Sequence, residues 1–282
     1  MDDRSQPATA APVTPSTAAA TVETSGLTRR FGLLAAVDGL TIAVAGRTIF
    51  GLLGTNGAGK TTVIKMLTTL LPPTAGTATV AGFDIVREAS AVRRHIGYVS
   101  QLVSADGELT GRENLLISAK LYGIAGRERG RRIDQALEFM GLGDAADRLV
   151  GRYSGGMIRR LEIAQSMLHR PAVLFLDEPT VGLDPAARHG VWQRILDLRA
   201  DFGTTIVMTT HDMEEADRLC EVVAFMHRGR LAALGAPSSL KSALGPDATL
   251  DDVFIRLTES GTTADGTYRD VVRTRRTASR LE

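Results

Sequence analysis

The stretch LLGTNGAGKTTVIKML, residues 52–67, decides how this chain is read. Gly54 is followed by Thr55, Asn56, Gly57 and Ala58, then by Gly59, Lys60 and Thr61. That is the spacing G-x-x-x-x-G-K-[ST] of a loop whose backbone N–H groups point inward at phosphate oxygens. Gly57 and Gly59 let the main chain approach β- and γ-phosphates, Lys60 brings a mobile cation, Thr61 offers a hydroxyl to Mg²⁺, and Thr62 carries the run into the following helix. Lysine stands only at Lys60, Lys65, Lys120 and Lys241, so the pattern has little chance of arising at random. A nucleotide is the ligand this loop implies.

The flanking sequence fits a parallel sheet with helices on its faces. Residues 48–53 read as a strand feeding the loop and 60–70 as the helix after it. Pro72-Pro73-Thr74-Ala75-Gly76 forces a turn into a strand at 77–80. From about 110 to 168 the pattern is helical: Ile133, Ala136, Leu137 and Met140 share a face, and Gly141 is placed to end that helix. This stretch, within about 102–168, reads as an inserted helical subdomain. Residues 172–176 and 204–209 are short apolar or β-branched runs suited to central strands. Leu250, Val253, Phe254 and Leu257 predict one last amphipathic helix.

The strand at 172–176 ends in Asp177-Glu178-Pro179. Asp177 is placed to anchor Mg²⁺, and Glu178 to orient or deprotonate an attacking water. His211 follows the strand at 204–209 and faces the same crevice, where its imidazole can bond a γ-phosphate and hold that water. Gln101, after the run 96–99, is another polar group at a strand's end. His95, His169, His189 and His227 have no such placement and read as structural or solvated.

Thirty-three basic against 32 acidic residues give a net charge of +1, which advertises neither nucleic acid nor an anionic surface. Cys220, the single cysteine, excludes an internal disulfide and reads as a buried bystander. No apolar run reaches the 18 or so residues of a membrane span, and the start Met1-Asp2-Asp3-Arg4 does not resemble a secretory signal. A soluble protein is expected, working at a membrane only through another polypeptide. Residues 1–22, rich in Ala, Thr, Pro and Ser, and residues 261–282, a loosely basic end, are expected to be disordered tails around a domain at 23–260.

One further motif sets the class. Tyr153-Ser154-Gly155-Gly156-Met157, with Arg159, Arg160 and Glu162 behind it on a helix, is a second anion site built from N–H groups, a hydroxyl and a helix dipole. These residues resemble the ATPase subunits of ABC transporters, whose signature loop reads Leu-Ser-Gly-Gly-Gln upstream of the Asp-Glu strand. The resemblance covers about 27–257 in a matching order of motifs: Phe31 as the adenine-stacking aromatic, the phosphate loop, Gln101, the signature, Asp177-Glu178, Gly182-Leu183-Asp184, and His211. It implies a mainly parallel core with an antiparallel β subdomain and the helical insertion, ATP and Mg²⁺ as cofactors, with Gln101 joining Thr61 and Asp177 at the metal. It also implies a head-to-tail homodimer in which Ser154, Gly155, Gly156 and Asp184 of one copy close on the ATP held by the other. Tyr153 and Met157 depart from the family's Leu and Gln.

A finer match lies in Tyr153 to Met157 with its arginines, in Leu109-Thr110-Gly111-Arg112-Glu113-Asn114-Leu115, and in Leu250-Asp251-Asp252-Val253-Phe254. These look like the daunorubicin-resistance type of exporter ATPase. That resemblance implies export of a drug, antibiotic or lipid-like compound through an integral membrane permease, docked at about 102–125 on the cytoplasmic face of the membrane. The alternative is a soluble ATPase of the same type acting on ribosomes or nucleic acid, but no paired ATPase domains or long coiled coil fit, and no nucleic acid is expected. A GTPase would need Asn-Lys-x-Asp, and no lysine here follows an asparagine.

Overall fold

The computed structural model describes residues 20–259, beginning with β1 (Ala20–Phe31), which forms a hairpin with β2 (Leu34–Ala45). Residues 20–22, expected in the N-terminal tail, lie instead in β1. Val22 is fully buried and pairs with Val44 and Val80, and the Val22/Thr24 alternation is too short to stand out in an Ala- and Thr-rich composition. Residues 1–19 and 260–282, where both tails were expected, lie outside the described residues.

After β3 (Ile49–Leu53) and the phosphate loop comes α1 (Lys60–Leu67), shorter than its periodicity suggested. The Thr68 hydroxyl takes the Ile64 carbonyl at 2.8 Å, and Thr69 turns to a φ of 63°, which a helix cannot continue. β4 (Ala75–Val80) pairs with β1, and β5 (Phe83–Asp84) with β4, completing an antiparallel sheet in the order β2-β1-β4-β5. Val63, Ile64, Met66 and Leu67 of α1 share one core cluster with Val37, Leu40 and Ile42 on one side and Phe50, Phe175 and Val207 on the other. The phosphate-loop helix is therefore held between the two sheets.

The larger sheet adds β6 (Ile96–Val99), which follows α2 (Ala89–His95), then β7 (Val173–Asp177), β8 (Thr205–Thr210), β9 (Val222–His227) and β10 (Arg230–Gly235), in the order β10-β9-β3-β8-β7-β6. All pairs are parallel except β9 with β10. Every residue of β3, β7 and β8 is buried, which matches their nearly unbroken apolar character.

Between β6 and β7 run α3 (Gly111–Leu121), α4 (Gly126–Phe139) and α5 (Gly155–Met167). A capping box, Thr110 with Glu113, starts α3. Ile133 and Leu137 turn inward from α4, and Gly141, at φ 62°, ends its last turn. Then α6 (Pro185–Phe202) precedes β8 and α7 (Met213–Leu219) follows it.

The described residues divide into two compact units between Pro237 and Ser238, within the stretch 23–260 that the sequence reads as one domain. The second holds α8 (Pro237–Ser242), which starts at the boundary, and α9 (Leu250–Glu259), begun by hydrogen bonds between Thr249 and Asp252 and burying Leu250, Val253 and Phe254. An amphipathic pattern alone does not say which unit a helix joins. Among the described residues, no helix is long and apolar enough to cross a membrane.

Candidate active site

The carboxyl ends of β3, β8 and β7 are neighbours, and register places Leu52, Thr209 and Asp177 in one row across them. Each strand hands its next residues to the same crevice: the phosphate loop, His211, and Glu178. The loop turns through Gly59, whose φ of 103° suits glycine and whose missing Cβ would lie 2.4 Å from the Ala36 carbonyl oxygen. Asn56 and Gly57 stand exposed at its crest while Ala58 is buried.

Lys60 folds back over the loop. Its Nζ donates to the carbonyls of Gly54 at 2.7 Å and Thr55 at 3.3 Å and pairs with Glu178 Oε1 at 3.2 Å. The other Glu178 oxygen, Oε2, lies 2.7 Å from Nδ1 of His211. Glu178 sits at a φ of 51°, a left-handed conformation uncommon for a non-glycine residue. Its N–H holds that turn by donating to the hydroxyl of Thr209 at 2.9 Å.

Asp177 is almost fully buried, with Oδ1 accepting from the hydroxyls of Thr209 at 2.6 Å and Thr61 at 3.2 Å. Its charge, after burial, helps push the neighbouring Tyr98 phenol up to about 12, so Tyr98 stays protonated. One threonine hydroxyl thus serves both acids, donating to Asp177 and accepting from the Glu178 amide. Sequence reading missed Thr209; the available signal was a hydroxyl at the carboxyl end of a strand beside the phosphate-loop strand.

These contacts bring Lys60, Thr61, Asp177, Glu178 and His211 into one cluster. Ser154, Gly155, Gly156 and Asp184 stand apart from it. Ser154 is the N-cap of α5, its hydroxyl oxygen accepting from the Met157 N–H at 3.3 Å, which leaves its own hydrogen to donate elsewhere. Gly155 is exposed and Gly156 buried against α6. Asp184 caps α6 by accepting from the Ala187 N–H at 2.9 Å. Tyr153 departs from the expected leucine because its ring turns inward, with its hydroxyl donating to the Ala145 carbonyl at 2.6 Å. A Cβ on Gly111 would stand 2.4 Å from the Tyr153 hydroxyl oxygen, so Gly111 and Tyr153 fit as a pair.

Phe31 is no core residue: 48% exposed at the end of β1, it carries the Arg29 guanidinium 4.7 Å from its ring centre. Gln101 is exposed after β6. Burial pushes the Cys220 thiol far up, fitting a packing role.

The family model described as ABC transporter matches residues 37–181. The chain is 47% identical over 224 residues to the daunorubicin/doxorubicin resistance ATP-binding protein DrrA of Streptomyces peucetius, covering 79% of this chain and 68% of that protein. It is 44% identical over 229 residues to the Nod factor export ATP-binding protein I of Paraburkholderia xenovorans, covering 81% and 75%. The solved structure of an ATP binding subunit of an ABC transporter aligns at a TM-score of 0.75 and 29% identity, covering 84% of this chain and 99% of that one.

Proposed function

This chain belongs to the ABC transporter family of ATP-binding proteins, and from that premise we propose how its residues hydrolyse ATP and drive a membrane partner. The N–H groups of residues 54–62 and the Lys60 ammonium receive the β- and γ-phosphates, and Phe31 offers a ring to adenine. Thr61, Asp177 and Gln101 would hold Mg²⁺, which neutralises charge on the phosphates. A hydroxyl and one buried carboxylate suit such a cation, because Mg²⁺ binds through one or two carboxylates and takes its other ligands from phosphates and water.

The observation that carries this reading is the double hold on Glu178, by Lys60 on one oxygen and His211 on the other. Phosphates arriving at Lys60 compete with Glu178 for the ammonium. The released carboxylate then turns to a water, orients it and takes its proton, while His211 steadies the carboxylate and the γ-phosphate. Ser154, capped on its oxygen, has its hydrogen free for the γ-phosphate of a second copy, with Gly155, Gly156 and Asp184 beside it. ATP joins two copies head to tail because it binds the closed pair more tightly than the open one, and hydrolysis releases them.

The relatives' names speak of drug resistance and Nod factor export, and they support export of a hydrophobic or lipid-like compound by a permease at the cytoplasmic face of the membrane. Exposed Leu102, Val103, Ile117, Leu121 and Tyr122 support 102–125 as the docking surface for that permease. The test is Mg-ATP turnover by the purified chain. Lys60→Ala loses ATP binding; Ser154→Arg keeps binding and loses turnover, and wild-type turnover falls on dilution. Full turnover by Ser154→Arg at high dilution would remove the shared-nucleotide arrangement.

A further inference from the structure

Arg159 and Glu162, one helical turn apart on α5, form an ion pair at 3.1 Å with 7% and 2% of their side chains accessible. Both also reach off the helix to a single short segment. Arg159 Nη1 donates to the Ser100 carbonyl at 2.7 Å and Nη2 to the Gln101 carbonyl at 3.4 Å. Glu162 Oε1 accepts from the Ser104 N–H at 2.5 Å and from the Ser104 hydroxyl at 3.0 Å. The loop is thus pinned at both ends, and between the pins Leu102 and Val103 point into solvent. For stability alone an apolar pair would serve as well as a buried ion pair. What the charges add is directed bonds to three backbone groups of residues 100–104.

Ser154 heads the same helix, about 7.5 Å along its axis from Arg159. We propose that the Arg159–Glu162 pair is a positioning device that locks the Gln101 segment to the signature helix, so that Gln101 at its own nucleotide, the exposed Leu102-Val103 tip and the Ser154 turn move as one piece. The proposal rests on the reading above that Ser154 meets the second copy's nucleotide. A push on the tip by a membrane partner is then delivered to both ends of the ATP sandwich through rigid helix and hydrogen bonds rather than through a flexible loop. Neither Arg159 nor Glu162 touches the phosphate loop, so the device acts on turnover and not on nucleotide affinity.

The test compares full-length wild type with Glu162→Gln and Ser104→Ala, measuring kcat and KM for Mg-ATP and the melting temperature. Glu162→Gln keeps the shape and removes the charge that fixes Arg159. It is expected to lower kcat at least fivefold while KM changes less than twofold and the melting temperature moves by only a few degrees. Ser104→Ala removes one bond at the exposed end without touching the core. It is expected to lower kcat at least twofold and to add little when combined with Glu162→Gln, because both act on one link. Turnover within 1.5-fold of wild type in both variants, or a raised KM at unchanged kcat, overturns the proposal. Should Glu162→Gln fail to fold, Ser104→Ala alone decides, and wild-type kcat there overturns it. Loss of turnover in Ser154→Arg alongside normal Glu162→Gln rejects this inference only, whereas full turnover in Ser154→Arg rejects the shared-nucleotide reading itself.

Discussion

Lys60 and Glu178 neutralise one another across 3.2 Å, with only 5% and 8% of their side chains accessible. On the proposed reading, the residue that grips phosphate and the residue that activates water are each other's partner until a nucleotide competes. Binding and priming would then be one event, because the charge proposed to draw the phosphates is the charge that holds the Glu178 carboxylate.

Glu178→Gln should separate the two effects. Turnover falls by at least about 10²-fold with the proton acceptor gone. ATP binding tightens severalfold, since Lys60 no longer has to leave a carboxylate. Equilibrium titration with ATP and a phosphate-release assay check both; weaker binding by the variant would mean that the pair assists the nucleotide rather than competing with it.

Thr209→Val removes the hydroxyl shared by Asp177 and the Glu178 amide at nearly constant volume. The cost should be about 1–3 kcal/mol, the range for leaving buried polar groups unpartnered. Turnover should drop roughly tenfold by the same loss of orientation, because a shift of about 1.4 kcal/mol is a decade in rate. Urea unfolding and steady-state kinetics measure the two.

Gly155 and Gly156 are expected to answer differently to alanine. A Cβ on Gly156 would stand 2.8 Å from the Cβ of Ala187 on α6, forcing the two helices apart at a cost of about 1–3 kcal/mol. A Cβ on Gly155 would meet only the end of the Leu183 side chain at 3.1 Å, which can rotate away. Gly155→Ala should melt like wild type yet lose turnover; Gly156→Ala should melt several degrees lower.

The pH dependence of stability should carry the mark of His169. Burial holds its imidazole below the ordinary value of 6.5, helped by the charges of Arg132 and His95 and opposed by the bond to the Ile96 carbonyl. Nε2–H makes that bond at 2.9 Å, while Nδ1 is buried without a partner among the described residues, so a second proton has no acceptor. Above 6.5 both folded and unfolded forms are neutral. As pH falls through 6.5 the unfolded chain takes up its proton first, and stability is lost. Melting curves between pH 7.5 and 5.5 should show this slope, and His169→Gln should flatten it.

Lys60, Asp177, Glu178 and His211 were legible because each belongs to a short run whose period and punctuation place it at a strand's end. Thr209 was not, since a threonine closing a β-branched run looks like ordinary strand composition until register sets it between two carboxylates. Arg159 and Glu162 stand behind the signature, but their partners Ser100 and Ser104 lie more than 50 positions earlier and carry no pattern. Val22 reads as part of a tail because two alternating residues are too few to define a period. The division at Pro237 left no trace, as a helix with an apolar face looks the same whichever body it lies on.

The row formed by Leu52, Thr209 and Asp177 has one more implication. Adjacent strands in a sheet are spaced about 4.8 Å apart by their backbone hydrogen bonds. The strand ends that carry the phosphate loop, the histidine and the acids are spaced by that pitch, a ruler set by peptide geometry and indifferent to side chains. Drift in the surrounding helices can change the surfaces they present. It leaves the spacing of the candidate site untouched.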